Sequence, residues 1–129
     1  MKLRIKGDSL RLRVTPSEVV RLVKGGRVEE TVHFSPEPEA RLTYALESAQ
    51  SAGTDGAVQI RCVGREVAVV VSAQRAREWA DGSEVGIYAQ FPVTNGLLEI
   101  AVEKDFACLD RNDVENEDTF PNPKQGAVC

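Results

Sequence analysis

The feature that most constrains this chain is a two-residue alternation of apolar and polar side chains. The segments KLRIK (2–6) and SLRLRV (9–14) both alternate, and Gly7 lies between them. A period of two is typical of a β-strand that buries one face. Glycine reaches the positive φ angle of a tight turn without a steric cost. The chain is therefore predicted to open with a β-hairpin.

A helix with clear end signals is predicted directly after this hairpin. Thr15 is placed to act as its N-cap, and Glu18 is placed three residues later to complete a capping box. Gly25 is expected to end the helix. Alternation then returns in RVEETVHF (27–34) and RLTYALES (41–48), which are expected to form two further strands. The first half of the chain thus has the predicted order ββαββ.

The second half repeats this order after a shift of 57 residues. QIRCVGREVAVVV (59–71) resembles the first hairpin, Ser72 takes the place of the N-cap, and EVGIYAQF (84–91) and LLEIAVEK (97–104) resemble the last two strands. Six pairs of identical residues fall into alignment: Arg4 and Arg61, Gly7 and Gly64, Val14 and Val71, Gly25 and Gly82, Val28 and Val85, Phe34 and Phe91. Identity at turn glycines and element ends favours a tandem duplication over a chance similarity of alternating strands.

The predicted fold class is therefore α+β, with eight mostly antiparallel strands and two helices outside them. We expect the strands to form a barrel or a strongly curved sheet, because closure removes exposed sheet edges. A chain of 129 residues supports one core. Residues 1–104 are predicted to form a single domain with repeats at 1–50 and 57–104, and 105–129 to form an acidic tail.

Charge is distributed unevenly along the chain. The first 27 residues contain eight Lys or Arg and two Asp or Glu, whereas residues 105–129 contain six acidic and two basic groups. A local excess of cations favours an anionic partner. The sequence pI of about 5.1 and the lack of an aromatic and basic strand signature argue against nucleic acid as that partner.

Other classes are disfavoured by what the sequence contains. The three cysteines are far apart and form no CxxC pair, so neither a disulfide scaffold nor a zinc ribbon is expected. No apolar run has the length of a membrane-spanning helix, and no signal-peptide core follows the charged start. A cytoplasmic protein that does not interact with membranes is the expectation.

Two resemblances add to this interpretation. The opening MKLRIKGDSLRLRV, the segment EKDFACL (103–109) and the acidic run that ends in FPNP (120–123) resemble an uncharacterised bacterial family of short proteins. The duplicated element order is similar to the CYTH-like, triphosphate-tunnel fold, which implies eight antiparallel strands around a channel that holds triphosphate and a divalent metal. That family has the signature Glu-x-Glu-x-Lys on its first strand. The matching stretch here reads KLRIK, in which only Lys6 fits, and the cations at the other positions would repel Mg²⁺.

The candidate ligand-binding residues are the cations on the polar strand faces. Arg and Lys donate charge-assisted hydrogen bonds to phosphate and carboxylate groups. A phosphorylated or other anionic small molecule is therefore the expected ligand, and the alternative is a polar sheet face neutralised by its own cross-strand ion pairs. The candidate set is Lys2, Arg4, Lys6, Arg11, Arg13 and Arg61.

Two other functions are compatible with the same residues. In a divergent triphosphate-tunnel phosphohydrolase, Glu47, Glu99 and Glu103 would be substitute metal ligands. In a structural module, the charged face would pair with a second copy, so that the protein is a monomer or a homodimer. His33 is the only histidine and has no partner pattern typical of a catalytic triad. No catalytic residue and no cofactor is therefore predicted.

Overall fold

The computed structural model describes residues 1–50, 57–106 and 118–121. Its elements follow the predicted order ββαββ twice. They are β1 (Lys2–Ile5), β2 (Ser9–Val14), α1 (Pro16–Val23), β3 (Arg27–His33), β4 (Arg41–Ala49), β5 (Val58–Val63), β6 (Glu66–Ser72), α2 (Ala73–Asp81), β7 (Gly86–Val93) and β8 (Gly96–Lys104). The α+β class, the eight strands and the two helices are confirmed.

The strands form two four-stranded sheets, with the orders β1-β2-β8-β7 and β3-β4-β6-β5. Each sheet contains a parallel pair at its centre, β2 with β8 or β4 with β6, and its other pairings are antiparallel. The described strands therefore do not close into the barrel that the sequence favoured. The outer strands of each sheet pair with one described neighbour, so that each sheet has two edges.

The chain divides into two compact units, and each unit contains one of the sheets. The hairpin unit contains Lys2–Val19 and the chain from Glu84 onward, whereas the central unit contains Met1 and Val20–Ser83. Each sheet thus combines strands from both sequence repeats. The sheet of the hairpin unit is called sheet A, and that of the central unit is called sheet B.

The duplication is visible in the pairing register of the two sheets. Arg4 lies opposite Arg11 in sheet A, and Arg61 lies opposite Ala68 in sheet B. The hairpin turns are also equivalent, because Gly7 has a φ of +54° and its counterpart Gly64 has a φ of +58°. The shift of 57 residues therefore holds throughout both hairpins.

The same shift is wrong for the strand that follows each helix. Val28 pairs with Leu46 on β4, and the structurally equivalent pair in sheet A is Ile87 with Val102 on β8. Val28 and Ile87 are both buried, whereas Val85 is exposed. Helix α2 is one residue longer than α1, and the connection after it is also one residue longer. These two residues account for the difference, since a strand must keep its apolar set on the buried face.

Capping signals at both helix starts are confirmed. At α1, the Thr15 amide donates to Glu18 Oε1 over 2.9 Å, and the Glu18 amide donates to Thr15 Oγ1 over 3.4 Å. At α2, Ser72 Oγ accepts from the Arg75 amide over 3.1 Å. These bonds satisfy amide groups that have no partner inside the helix.

Alternating apolar positions form the buried face of each sheet. In sheet A the buried side chains are Leu10, Leu12, Val14, Ile87, Ile100 and Val102. In the central unit the largest fully buried side chain is Trp79, on the helix that packs on β4 and β6. Cys62 alternates with Ile60 along β5 but is exposed. It lies next to the turn of its hairpin, as the exposed Ile5 does in sheet A.

A short piece of the tail returns to the hairpin unit. Phe106 and Phe120 form a parallel β-bridge, and their rings meet edge to face with centroids 5.8 Å apart. Ser17 Oγ donates to Asp118 Oδ2 over 2.7 Å near the start of α1. This hydrogen bond is the main cause of a lowered Asp118 pKa. The end of β8 is therefore covered by residues 118–121.

Among the described residues, no helix has the length and apolar character needed to cross a membrane.

Candidate functional site

The polar face of sheet A carries four of the predicted cations. Residues on adjacent strands that lie opposite each other share a face, and the register places Lys2 opposite Arg13 and Arg4 opposite Arg11. These four residues are called the basic patch. They line a hollow of about 180 Å³, together with Leu3.

The two cross-strand pairs of the basic patch each join like charges. Side chains that lie directly opposite on antiparallel strands have Cβ atoms about 4.5–5.5 Å apart, and like charges at that distance destabilise a sheet. Arg4 makes no ion pair with any residue that the structure describes. Arg4 therefore lies opposite another cation and has no neutralising partner among the described residues.

Two of the described acidic residues contact the patch, and the first of them is Glu103 on β8. Its Oε1 atom lies 3.2 Å from Arg11 Nε and 3.8 Å from Arg13 Nε. The Glu103 side chain is only 14% exposed, while the two arginine side chains are about two-fifths exposed. A largely buried carboxylate thus holds two guanidinium groups at the surface. At the end of the same face, Lys2 Nζ lies 3.2 Å from the buried Asp105.

Tyr88 on β7 approaches Glu103 from the other side. Its hydroxyl donates to Glu103 Oε2 over 2.8 Å. Partial burial raises the Tyr88 pKa, the hydrogen bond to Glu103 raises it further, and the charge of Arg11 opposes both effects. Glu103 therefore orients an arginine on one side and a tyrosine on the other.

A glycine permits this meeting of Tyr88 and Glu103. Gly86 pairs with Glu103 across the sheet. A Cβ atom at Gly86 would lie 2.7 Å from the Val102 carbonyl oxygen, 2.9 Å from Glu103 Cγ and 3.0 Å from the Tyr88 hydroxyl. Glu103 and Tyr88 occupy the space that a side chain at position 86 would need.

An open cleft of about 560 Å³ lies beside the basic patch on the same sheet. Its volume is in the range of small-molecule sites. Arg11 lines both the cleft and the patch, so the two form one continuous surface. The lining residues that belong to the polar face of the sheet are Ser9, Arg11, Tyr88, Gln90, Glu99 and Ala101.

Sheet B presents a neutralised face in place of this surface. Arg27 Nη1 lies 2.9 Å from Glu47 Oε2, Arg27 Nη2 lies 3.2 Å from Glu29, and Arg61 Nη2 lies 3.3 Å from Glu66 Oε2. Arg27 also contacts Glu66, and Arg61 also contacts Glu47. These five residues are called the ion-pair cluster. Hydrogen bonding to the carboxylates raises the pKa of both arginines, and hydrogen bonding to Arg27 is the main cause of a lowered Glu66 pKa.

The structure separates the predicted cations into two groups. Arg61 belongs to the ion-pair cluster of sheet B and does not lie with the basic patch. Lys6 follows β1 at the hairpin turn, where its amide donates to the Ser9 carbonyl over 3.0 Å, and it does not line the hollow of the patch.

The three carboxylates considered as substitute metal ligands belong to different sheets, Glu47 to sheet B and the other two to sheet A. Glu47 is bound by Arg27 and Arg61, whereas Glu99 and Glu103 lie four residues apart on β8, which corresponds to about 13 Å of strand. No group of three or more His, Cys, Asp or Glu side chains among the described residues could hold a metal ion. Cys108 and Cys129 lie outside the described residues.

Tyr88, Gln90 and Gly86 were missed in the sequence analysis. All three lie on β7, in a strand treated there only as a repeat of β3. A signal was present, because Tyr88 and Gln90 alternate with apolar residues and so had to share the polar face. Their position beside the cations, however, depends on β7 joining β8 and not β6.

Comparison with known families gives one match. The model of a family of unknown function, DUF7009, matches residues 1–124. The chain belongs to this family. The expected membership in a family without an assigned function is thereby confirmed. Searches of curated proteins and of solved structures each found no match.

Proposed function

We propose that this protein binds a phosphorylated or other anionic small molecule at the basic patch of sheet A. The observation that supports the proposal is the register of β1 and β2, which places like charges opposite each other, Lys2 with Arg13 and Arg4 with Arg11. A sheet that needed only stability would place opposite charges there, as sheet B does with Arg27 and Glu47. A bound anion would offset the repulsion.

The side chains of the patch suit an oxyanion. Arginine presents a planar fork of donors that matches phosphate and carboxylate oxygens, and lysine adds a compact positive charge. Glu103 holds Arg11 and Arg13 in place before a ligand arrives, which reduces the entropy lost on binding. The remaining acidic contact, between Lys2 and Asp105, lies at the end of the patch away from Arg4.

Binding does not require the chemistry of the triphosphate-tunnel enzymes. Hydrolysis of that kind needs a divalent metal held by carboxylates, and the described residues contain no group of three or more side chains that could hold one. The alternative, a structural face whose charges are neutralised by its own ion pairs, fits the ion-pair cluster of sheet B better than it fits the basic patch. Anion binding without a metal is thus the function that sheet A favours.

The experiment is a titration with tripolyphosphate, followed by calorimetry and by thermal unfolding. The double variant Arg4→Gln, Arg11→Gln is expected to bind roughly tenfold or more weakly, since each charged hydrogen bond contributes about 1.5–3 kcal/mol. Added salt should weaken binding to the wild-type protein because it screens exposed charges.

A matched control removes the same total charge away from the patch. Arg21 on α1 and Lys24 beyond its end are both exposed, and the double variant Arg21→Gln, Lys24→Gln should keep the wild-type affinity. Equal loss in the two double variants would indicate nonspecific attraction and contradict the proposal. An unchanged unfolding temperature at millimolar tripolyphosphate would contradict it as well.

A further inference from the structure

We propose that the cleft beside the basic patch binds the ring of a nucleoside monophosphate whose phosphate lies on Arg4 and Arg11. This inference rests on the proposed function, because the phosphate is held by the basic patch. It extends that function by assigning the ligand a class, which the cations alone do not determine.

The walls of the cleft are a tyrosine and an arginine that face each other across a small residue. Tyr88 on β7 lies opposite Ala101 on β8, and Ala101 lies beside Arg11 on β2. Strands β2 and β7 lie on either side of β8 and are therefore two strand spacings apart, about 10 Å. Only the methyl group of Ala101 rises from the strand between them. A planar ring placed on Ala101 would contact an aromatic face on one side and a guanidinium on the other.

Both walls are suited to stacking. Tyr88 is 61% exposed, so most of its ring is available to a ligand even though its hydroxyl is engaged by Glu103. Arginine stacks on aromatic ligands through its planar cation. Since Glu103 binds both Tyr88 and Arg11, one carboxylate fixes the two walls relative to each other.

One end of the cleft carries hydrogen-bonding side chains that are neutral or acidic, whereas the side chains of the patch are basic. Ser9, Glu99 and Gln90 form one row across β2, β8 and β7. The Glu99 carboxylate accepts N–H or O–H groups and repels a second anion. The ligand is thus anionic at the end near Arg4 and bears neutral donors at the end near Glu99. A base that carries N–H donors, such as the exocyclic amino group of adenine, together with a single phosphate satisfies both conditions.

The spacing of the two subsites also fits this class. Arg11 is one strand spacing and Arg4 two strand spacings from Ala101, which places the phosphate about 5–10 Å from the centre of the ring. One sugar unit bridges such a distance. A bare polyphosphate, by contrast, would leave the floor and the Glu99 end of the cleft unused.

The test compares adenosine monophosphate, ribose 5-phosphate and inorganic phosphate by calorimetry on the full chain. Base stacking on an aromatic side chain corresponds to roughly a tenfold gain in affinity or more. Adenosine monophosphate is therefore expected to bind at least that much more tightly than ribose 5-phosphate. Equal affinity of the two would overturn the assignment of the ring subsite.

Three variants test which residues cause the tighter binding of adenosine monophosphate. Tyr88→Ala removes a wall and Ala101→Leu fills the floor, and each should abolish the advantage of adenosine monophosphate over ribose 5-phosphate. Tyr88→Phe keeps the ring and should retain the advantage. All three should bind tripolyphosphate within roughly twofold of the wild-type affinity. An advantage that persists in both Tyr88→Ala and Ala101→Leu would overturn the inference.

Failure of the inference is distinguishable from failure of the proposed function. If tripolyphosphate binds at the basic patch but adenosine monophosphate has no advantage, the ring subsite is wrong and anion binding stands. If neither tripolyphosphate nor adenosine monophosphate binds, both proposals are contradicted.

Discussion

Sheets A and B have equivalent hairpins and equivalent registers, yet the charged side chains on their polar faces differ in balance. Position by position, Glu103 on β8 corresponds to Glu47 on β4, because each lies beside the same point of its parallel partner. In sheet B the glutamate is one member of a cluster in which arginines and carboxylates alternate. In sheet A the glutamate stands among a surplus of cations.

The difference arises at a few strand positions. The counterpart of Ala68 in sheet B is Arg11 in sheet A, and the counterpart of Arg27 is Gly86. Glycine in place of the arginine beside the glutamate leaves space for Tyr88. Arg11 and Arg13 on β2 supply positive charge where sheet B has Ala68 and Val70. One duplicated framework thus carries a face on which arginines pair with carboxylates and a face on which four cations contact only two carboxylates among the described residues. The excess of cations on sheet A suits an anionic ligand.

The largest effect expected from this comparison is that of Gly86→Ala. The added Cβ meets the Val102 carbonyl oxygen at 2.7 Å and the groups of Glu103 and Tyr88 at about 3 Å. Overpacking of this kind destabilises a protein by about 1–3 kcal/mol, measurable by urea unfolding. Gly7→Ala is a useful comparison, because its Cβ would meet nothing within 4 Å and only the φ of +54° is unfavourable. A Gly86→Ala variant as stable as the wild type would show that sheet A tolerates a side chain there.

A smaller effect, with a sign that depends on the sheet, is expected for single arginine replacements. Arg27→Gln removes the contacts to Glu29, Glu47 and Glu66 and should lower the free energy of unfolding by about 1 kcal/mol. Arg4→Gln relieves repulsion from Arg11 and should leave stability unchanged or raise it by about 0.2–1 kcal/mol. Urea unfolding at low salt measures both. Destabilisation of similar size in the two variants would remove the distinction between the sheets.

The smallest effect concerns pH. Arg27 holds the Glu66 pKa below its usual value of 4.5, so the folded state binds fewer protons at this site than the unfolded state. The stabilisation from this contact is therefore present above pH 4.5 and is lost as pH falls through the lowered pKa. Thermal unfolding of the wild type and of Glu66→Gln should differ at pH 7 and converge in acid. A constant difference across that range would argue against an ionised contact.

Much of the fold could be predicted from local pattern. Alternation identified each strand, Thr15 and Ser72 marked the helix starts, and the matched glycines at positions 7 and 64 marked the hairpin turns. These features depend on interactions between residues close in sequence, which is why a single sequence reveals them. Lys2, Arg4, Arg11 and Arg13 could be placed on one polar face for the same reason, since they belong to one hairpin.

The remaining features depend on which strands become neighbours. Arg61 has the same place in its hairpin as Arg4, and its contact with Glu47 depends on the pairing of β4 with β6. Tyr88 became part of the candidate site because β7 joins β8, which in turn pairs with β2. Such long-range pairing is selected by the burial of whole sheet faces and is not encoded in any one segment.

The sequence by itself therefore determined the duplicated ββαββ order, the turns, the caps and the concentration of cations in the first hairpin, because each follows from local backbone preference and side-chain alternation. The tertiary structure decided that the strands form two sheets, that one sheet neutralises its charges, and that the other combines a basic patch with a cleft. Those outcomes required strands from both repeats to come together, and the pairing of distant strands is set by packing of the complete sheets.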